Sequence, residues 1–204
     1  MTTAMTDRMN PLTVLFSGPS GAGKGTQVQM LIEALKKRDG REVVYIEMGA
    51  LLRAQIAEGG YTSKLTDNIV SNGALMPAFM PIYLMAKHLV EHFTGDQHIV
   101  ADAVVRRMSQ AEAFDDAMRF YGRNQYHVVA IELSEDSIVK RLMARGRSDD
   151  TEEKIRRRIG WYKEEVLPTL KLLEERGATM HHIDGEPDVN TIHKNILSAL
   201  GLSQ

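Results

Sequence analysis

The feature that most constrains this chain of 204 residues is the segment GPSGAGKGTQ at residues 18–27. It directly follows an apolar run at residues 12–16 and opens a helical pattern with apolar side chains at Val28, Leu31 and Leu35. A strand, a glycine-rich turn and a helix in this order point several backbone N–H groups at one anion. Lys24 adds a full positive charge at the same place. The segment therefore predicts binding of a nucleoside triphosphate rather than an ordinary glycine-rich turn. The residues expected along the phosphates are Gly18, Ser20, Gly21, Ala22, Gly23, Lys24, Gly25 and Thr26.

Composition excludes several other classes of protein. Hydrophobic residues make up 43% and charged residues 25%, which is ordinary for one globular domain. The net charge of -2 argues against non-specific binding of nucleic acid, and the absence of cysteine excludes disulfides and thiolate metal sites. No stretch approaches the roughly 20 apolar residues of a membrane span, and the first ten residues lack the apolar core of a signal peptide. We expect a cytoplasmic monomer with no membrane or nucleic-acid partner.

Five apolar segments alternate with helical patterns along the chain. They lie at residues 12–16, 42–47, 98–104, 127–133 and 179–183. This alternation predicts an α/β fold with a five-stranded parallel sheet and helices on both faces. Ligands of such sheets bind at the carboxyl ends of the strands, which is where Lys24 lies. Ser134 is expected to cap a helix, and a long helix from about Thr151 is expected to bend at Pro168.

The loop sequence carries a resemblance to a known family. The hydroxyl that usually follows the lysine is replaced by Gly25 and comes one place later, at Thr26. This form is found in nucleoside monophosphate kinases, and from about residue 12 to 200 the chain resembles the adenylate kinase family. The resemblance implies a P-loop kinase fold in which Thr26 and Asp102 hold Mg²⁺ through its waters. By itself, Asp102 is equally consistent with a strand-end acid that caps a turn.

The resemblance also implies a division of the chain. Residues 1–204 would form a single domain of the short-lid type. Its core would comprise residues 11–48, 93–144 and 151–204. A small helical insertion that binds the monophosphate would span about 49–92, and a vestigial lid about 145–150.

Four further segments extend the resemblance and imply roles for individual residues. MGALLRA (48–54) and NGALMP (72–77) are similar to segments around the acceptor. DAVVRRMSQA (102–111) matches a segment that holds the acceptor phosphate and reads adenine, and RLMARGRSDD (141–150) with its sequel matches the stretch that closes over ATP. On the acceptor side the implied residues are Met48, Arg53, Leu75, Met76, Arg106 and Gln110, and on the donor side they are Arg141, Arg145, Arg147 and Arg158.

The chemistry of phosphoryl transfer supports this cluster of arginines independently. Transfer between nucleotides brings two polyanions together and depends on positioning and on electrostatic stabilisation. Arginine suits this task because its planar fork binds phosphate through two hydrogen bonds and stays charged. No general base is needed, because the acceptor is already a phosphate oxygen anion. A single arginine on a helix is usually solvated. Several arginines at these positions, together with the phosphate loop, favour a functional role. The expected catalytic residues are Lys24, Arg106, Arg145, Arg147 and Arg158.

The chain departs from the family pattern around the acceptor. The family's Asp-Gly-Phe-Pro-Arg is replaced by residues 102–106, in which Ala103 takes the place of the glycine and Val105 that of the proline. Met48 stands where the family has a threonine near the acceptor base. The expected activity is Mg²⁺-dependent transfer from ATP to a nucleoside monophosphate, with AMP favoured. The alternatives are a kinase for CMP, UMP or another monophosphate, and a nucleotide-binding module that has lost turnover.

Overall fold

A computed structural model describes residues 10–146 and 151–202. The strands are β1 (Thr13–Ser17), β2 (Val43–Glu47), β3 (His98–Asp102), β4 (His127–Glu132) and β5 (Thr179–Asp184). The helices are α1 (Lys24–Asp39), α2 (Met48–Ala57), α3 (Gly60–Ser71), α4 (Phe79–His92), α5 (Met108–Phe120), α6 (Glu135–Arg145), α7 (Glu152–Trp161), α8 (Leu167–Glu175) and α9 (Val189–Ala199). A π-helix, Tyr162–Val166, joins α7 to α8. Within these described ranges, no helix is long and apolar enough to span a bilayer.

The strands form one parallel sheet in the order β2-β3-β1-β4-β5. The register pairs Asp102 of β3 with Phe16 on one side and with Glu47 on the other. Three strand ends are therefore level beside the loop that follows β1. The predicted five-stranded parallel sheet is confirmed.

Two apolar layers cover the sheet, as expected for parallel strands. Side chains of β1 alternate, so that Leu15 packs into one layer and Val14 and Phe16 into the other. The first layer contains apolar residues of α2, α4, α5 and α8, and the second those of α1 and α9. Helices on both faces are thus confirmed. A smaller cluster that includes Leu142 and Ile155 joins α6 to α7 beyond the sheet.

The bend expected at Pro168 stays a prediction. The proline lies in the first turn of α8, directly after the π-helix. One strand boundary was predicted wrongly. The third strand ends at Asp102 instead of continuing to residue 104, because Ala103 has a left-handed φ of 55°. The predicted cap is confirmed, since the Ser134 hydroxyl accepts a hydrogen bond from the Ser137 N–H at 3.3 Å.

A buried carboxylate joins the C-terminal part of α5 to neighbouring segments. Asp115 accepts hydrogen bonds from the Tyr126 hydroxyl at 3.1 Å, from Arg119 Nε at 2.9 Å and from Arg176 Nη1 at 3.2 Å. Burial raises the pKa of Asp115, but these hydrogen bonds outweigh that effect and hold the pKa below its ordinary value. Asp115 therefore stabilises the fold in its ionised form.

Candidate nucleotide-binding site

The loop between β1 and α1 depends on glycine for its close approach to β4. Gly18 has a φ of 144°, and a Cβ at this position would lie 2.6 Å from the carbonyl oxygen of Ile131. Gly21 has a φ of 85°, and its Cβ would lie 3.0 Å from Leu142 Cγ. The backbone conformation disfavours a side chain at both positions, and at Gly18 the Ile131 carbonyl also leaves no room for one. The loop is thus held against the sheet at the amino end of α1, where helix N–H groups favour an anion.

The Lys24 side chain reaches from the first turn of α1 back to this loop. Its Nζ donates hydrogen bonds to the carbonyl oxygens of Gly18 at 2.8 Å and Pro19 at 2.9 Å. Burial lowers the pKa of Lys24 to about 8; the Asp102 carboxylate opposes this shift, and the positive charges of Arg106 and Arg145 add to it. The site therefore carries excess positive charge, which a polyphosphate would neutralise.

Asp102, at the end of β3, supplies a negative charge close to Lys24. The residue is 8% exposed, and its Oδ1 is buried without a hydrogen-bond partner among the described residues. Burial raises the pKa of Asp102, whereas Lys24 and Arg106 act against that rise. A buried carboxylate oxygen that lacks a partner is costly unless water or a cation meets it.

The unpaired oxygen of Asp102 suits a hydrated magnesium ion, which prefers oxygen ligands and keeps several waters. Thr26 lies exposed in the first turn of α1. In the described part of the chain, no group of three or more histidine, aspartate or glutamate side chains could hold a metal ion. Binding of Mg²⁺ by Thr26 and Asp102 through water stays a prediction.

The turn after β3 contains a residue with a left-handed backbone conformation, although this residue is not a glycine. Ala103 has a φ of 55°, and its N–H donates to the Phe16 carbonyl at 3.2 Å. At the other end of the turn, the Gln110 Oε1 accepts a hydrogen bond from the Arg106 N–H at 2.8 Å. Gln110 is only 3% exposed. The glutamine expected to read adenine therefore also fixes the turn that carries Arg106, and its contact with a base stays a prediction.

A cleft brings the phosphate loop and this turn together. The Arg106 guanidinium lies 5.5 Å from the ring centroid of Trp161, within the range of a cation–π interaction. Trp161 was not among the residues selected from the sequence. The sequence could have drawn attention to Trp161, because it is the one tryptophan in the chain and lies three residues after Arg158 on a helix. The cleft is lined by Ser17, Gly18, Ser20, Lys24, Ala103, Val105, Arg106, Trp161, Tyr162 and Val166.

The other acceptor-side residues occupy different environments. Arg53 Nη2 donates to Glu47 Oε1 at 2.9 Å at the carboxyl end of β2. Leu75 lines a second cleft, whose wall also includes Arg107 and Trp161. Met48 and Met76 are instead buried in the apolar layer that contains α2 and α4. Their proposed contacts with the acceptor stay predictions.

The donor-side arginines are also dispersed. Arg141 Nη2 donates to the carbonyl oxygen of Gly185 at 2.8 Å, in the segment after β5. Arg145 is exposed at the end of α6, yet close enough to lower the pKa of Lys24. Arg158 is 9% exposed, and its charge lowers the pKa of Arg106, on which burial has the larger effect. Arg147 and most of the predicted lid lie outside the described residues.

Comparison with known proteins identifies the family. The sequence model of the adenylate kinase family matches residues 16–178. The chain belongs to the adenylate kinase family. It is 33% identical over 190 residues to the adenylate kinase of Corynebacterium glutamicum (strain R), which covers 93% of this chain and 99% of that protein. It is 32% identical over 193 residues to the adenylate kinase of Thermus thermophilus, which covers 93% of this chain and 97% of that protein.

Membership of the adenylate kinase family confirms the resemblance drawn from the loop and the arginine-bearing segments. It also confirms the P-loop kinase fold and makes the chain an enzyme of the nucleoside monophosphate kinase class. The family match runs from the end of β1 to the start of β5 and therefore includes the loop, the turn at Ala103 and Trp161.

Proposed function

We propose that this enzyme transfers the γ-phosphoryl group of ATP to AMP in a Mg²⁺-dependent reaction and yields two molecules of ADP. The observation that carries the proposal is that Lys24 of the phosphate loop and Arg106 of the turn after β3 line one cleft. Two sources of positive charge in one cleft suit two phosphate groups that must meet. The names of the relatives support the choice of ATP and AMP.

On the donor side, the backbone N–H groups of residues 18–26 would hold the β- and γ-phosphates of ATP, with Lys24 Nζ exchanging its loop carbonyls for phosphate oxygens. Thr26 and Asp102 would hold Mg²⁺ through its waters. When bound, Mg²⁺ neutralises charge on the phosphates and orients them. Arg141, which donates to the Gly185 carbonyl, would also contact the donor.

On the acceptor side, Arg106 and Arg53 would hold the phosphate of the monophosphate. An oxygen of that phosphate attacks the γ-phosphorus of ATP, a new P–O bond forms, and the bond to the β–γ bridging oxygen breaks as ADP leaves. No proton has to be removed, because the attacking oxygen is already ionised. Arg145, Arg147 and Arg158 would neutralise charge on the transferred group, and loss of one such contact costs roughly 10³-fold in rate.

The second candidate is the same reaction with CMP, UMP or another monophosphate as acceptor. A specific observation favours it: the Gln110 oxygen already accepts a hydrogen bond from the backbone of Arg106 and is buried. Because this oxygen already forms a hydrogen bond within the protein, Gln110 would discriminate less strongly between bases. Leu75, which lines the second cleft, would then provide apolar contact that any base accepts.

The test is a screen of AMP, CMP, UMP and GMP with ATP and Mg²⁺, read as the diphosphate that is formed. We expect AMP to react fastest, and Lys24→Ala to lower the rate by about 10²- to 10³-fold. Lys171→Ala is the matched control, because Lys171 is exposed on α8. Near-normal transfer by Lys24→Ala would refute the donor site, and equal rates with all four monophosphates would refute selection of adenine. ATP binding without transfer to any of them would indicate a module that has lost turnover.

A further inference from the structure

Trp161 touches two parts of the site that are far apart in the sequence. It ends α7, and its indole N–H donates to the carbonyl oxygen of Gly73 at 3.4 Å. Gly73 belongs to the loop between α3 and α4, in the segment expected near the acceptor base. The ring of the same tryptophan lies 5.5 Å from the Arg106 guanidinium carbon. One side chain therefore contacts both the base-side loop and the arginine expected to hold the acceptor phosphate.

The face of α7 that carries Trp161 meets this loop through two further residues. Lys154 Nζ donates to the Ser71 carbonyl at 3.0 Å. A Cβ on Gly73 would lie 3.4 Å from Arg158 Nε, so the backbone of the loop is packed against that guanidinium. Residues 154, 158 and 161 recur at the spacing of one helix face. The end of α3 and the loop that follows it are thus joined to α7 along two helical turns, and the ring of Trp161 also lies beside Arg106.

The surroundings of Arg106 explain why an aromatic ring matters there. Burial lowers the pKa of Arg106, the Asp102 carboxylate raises it, and the positive charge of Arg158 lowers it further. The guanidinium is therefore attracted towards Asp102 and repelled by Arg158. The negative face of the indole gives Arg106 a neutral support that does not compete for phosphate.

Trp161 lines two clefts. It lines the narrow cleft with Lys24 and Arg106, and it lines the wider one with Ala74, Leu75 and Arg107. An acceptor whose base lies by Leu75 and whose phosphate meets Arg106 would pass close to Trp161. A change at this position would therefore affect the acceptor more than the donor.

We propose that Trp161 is a positioning residue that aims Arg106 at the acceptor phosphate while the loop at residues 72–75 lies against α7. This inference rests on the proposed function, since it takes Arg106 as the ligand of the acceptor phosphate. It assigns Trp161 no part in the chemical step. Binding of the acceptor base and orientation of Arg106 would therefore both depend on the side chain of Trp161.

The test compares two substitutions with a matched control. Trp161→Phe keeps an aromatic face but loses the N–H donor to Gly73, and Trp161→Leu loses both contacts. Phe120→Leu is the control, because Phe120 is a highly exposed aromatic residue at the end of α5. Kinetics are measured with the monophosphate that the wild type phosphorylates best. We expect Trp161→Leu to raise the acceptor KM by about 3- to 10-fold with the ATP KM within about twofold, and Trp161→Phe to have a smaller effect.

Fluorescence gives a second readout, because Trp161 is the single tryptophan of the chain. We expect the wild-type emission to change on titration with the monophosphate alone and to saturate near the acceptor KM. An acceptor KM within twofold of wild type in Trp161→Leu would overturn the proposal. So would equal rises in both KM values with a lower Tm, which indicate a role only in folding. If the wild type phosphorylates no monophosphate, the proposed function fails, and emission unchanged by monophosphate overturns the role of Trp161 separately.

Discussion

Replacement of Ala103 by glycine should stabilise this enzyme, although Ala103 lines the cleft. Ala103 is the one residue other than glycine with a positive φ among residues 10–146 and 151–202, and its value is 55°. The left-handed conformation costs a residue with a Cβ about 1–2 kcal/mol. Glycine loses about 0.5–1 kcal/mol more conformational freedom on folding. At the midpoints of these two ranges, the difference is a gain of about 0.75 kcal/mol for Ala103→Gly, which corresponds to a rise in Tm of about 1.5–3 °C for a chain of this size.

The measurement is thermal and urea-induced unfolding of the wild type and Ala103→Gly at neutral pH. Gly122→Ala is the matched control, because Gly122 has a φ of 69° and no heavy atom within 4 Å of a built Cβ. This control should lower the free energy of unfolding by a similar amount, since only the backbone conformation is penalised. A lower Tm for Ala103→Gly, or shifts of the same sign in both variants, would show that strain at Ala103 is not what the backbone geometry implies.

Two further predictions concern ionisable groups. Burial lowers the pKa of Lys24 to about 8, so its ammonium group loses a proton above that pH. The affinity for ATP should therefore fall by about tenfold per pH unit above pH 8. Calorimetric titration with ATP from pH 7 to 10 tests this prediction, and an affinity that does not change with pH contradicts it. Asp115→Asn should lower the free energy of unfolding by about 2 kcal/mol at pH 7. Since the pKa of Asp115 lies below its ordinary 3.8, the contribution of the carboxylate is present above that pH and is lost as the pH falls through the folded-state pKa. Unfolding curves of both proteins should therefore converge in acid, and a constant difference between them would argue against this sign.

The fold and the position of the phosphate loop at the end of β1 were predictable because their signals are local. Alternation of apolar strands with helices requires only neighbouring residues, and it predicted the five strands and the layers on both faces. Gly18, Gly21 and Lys24 lie within one short loop, so their spacing alone indicates where an anion would bind. The loop form with Gly25 and Thr26, together with the arginine-bearing segments, indicated the family that the comparisons confirmed.

The exact ends of helices and strands and the surroundings of individual side chains were less predictable, because they depend on contacts between residues that are distant in the sequence. Pro168 suggested a bend, and the sequence pattern gave no sign of the five-residue π-helix that precedes it. Met48 and Met76 suit an acceptor site by position, yet both are buried in the core. Gln110 was expected to read a base, and its oxygen accepts a hydrogen bond from the turn.

The sequence by itself determined the sheet, the phosphate loop and the supply of arginines, because each follows from residues adjacent in the chain or from their spacing. Only the tertiary structure decided which groups meet. Trp161 and Gly73 are 88 residues apart, and their contact depends on how α7 docks against the loop after α3. Ala103 adopts a left-handed conformation because hydrogen bonds at both ends of its turn, to Phe16 and from Arg106, outweigh its own preference. Contacts of this kind have no local signal, because their free energy arises from elements that are brought together only in the folded chain.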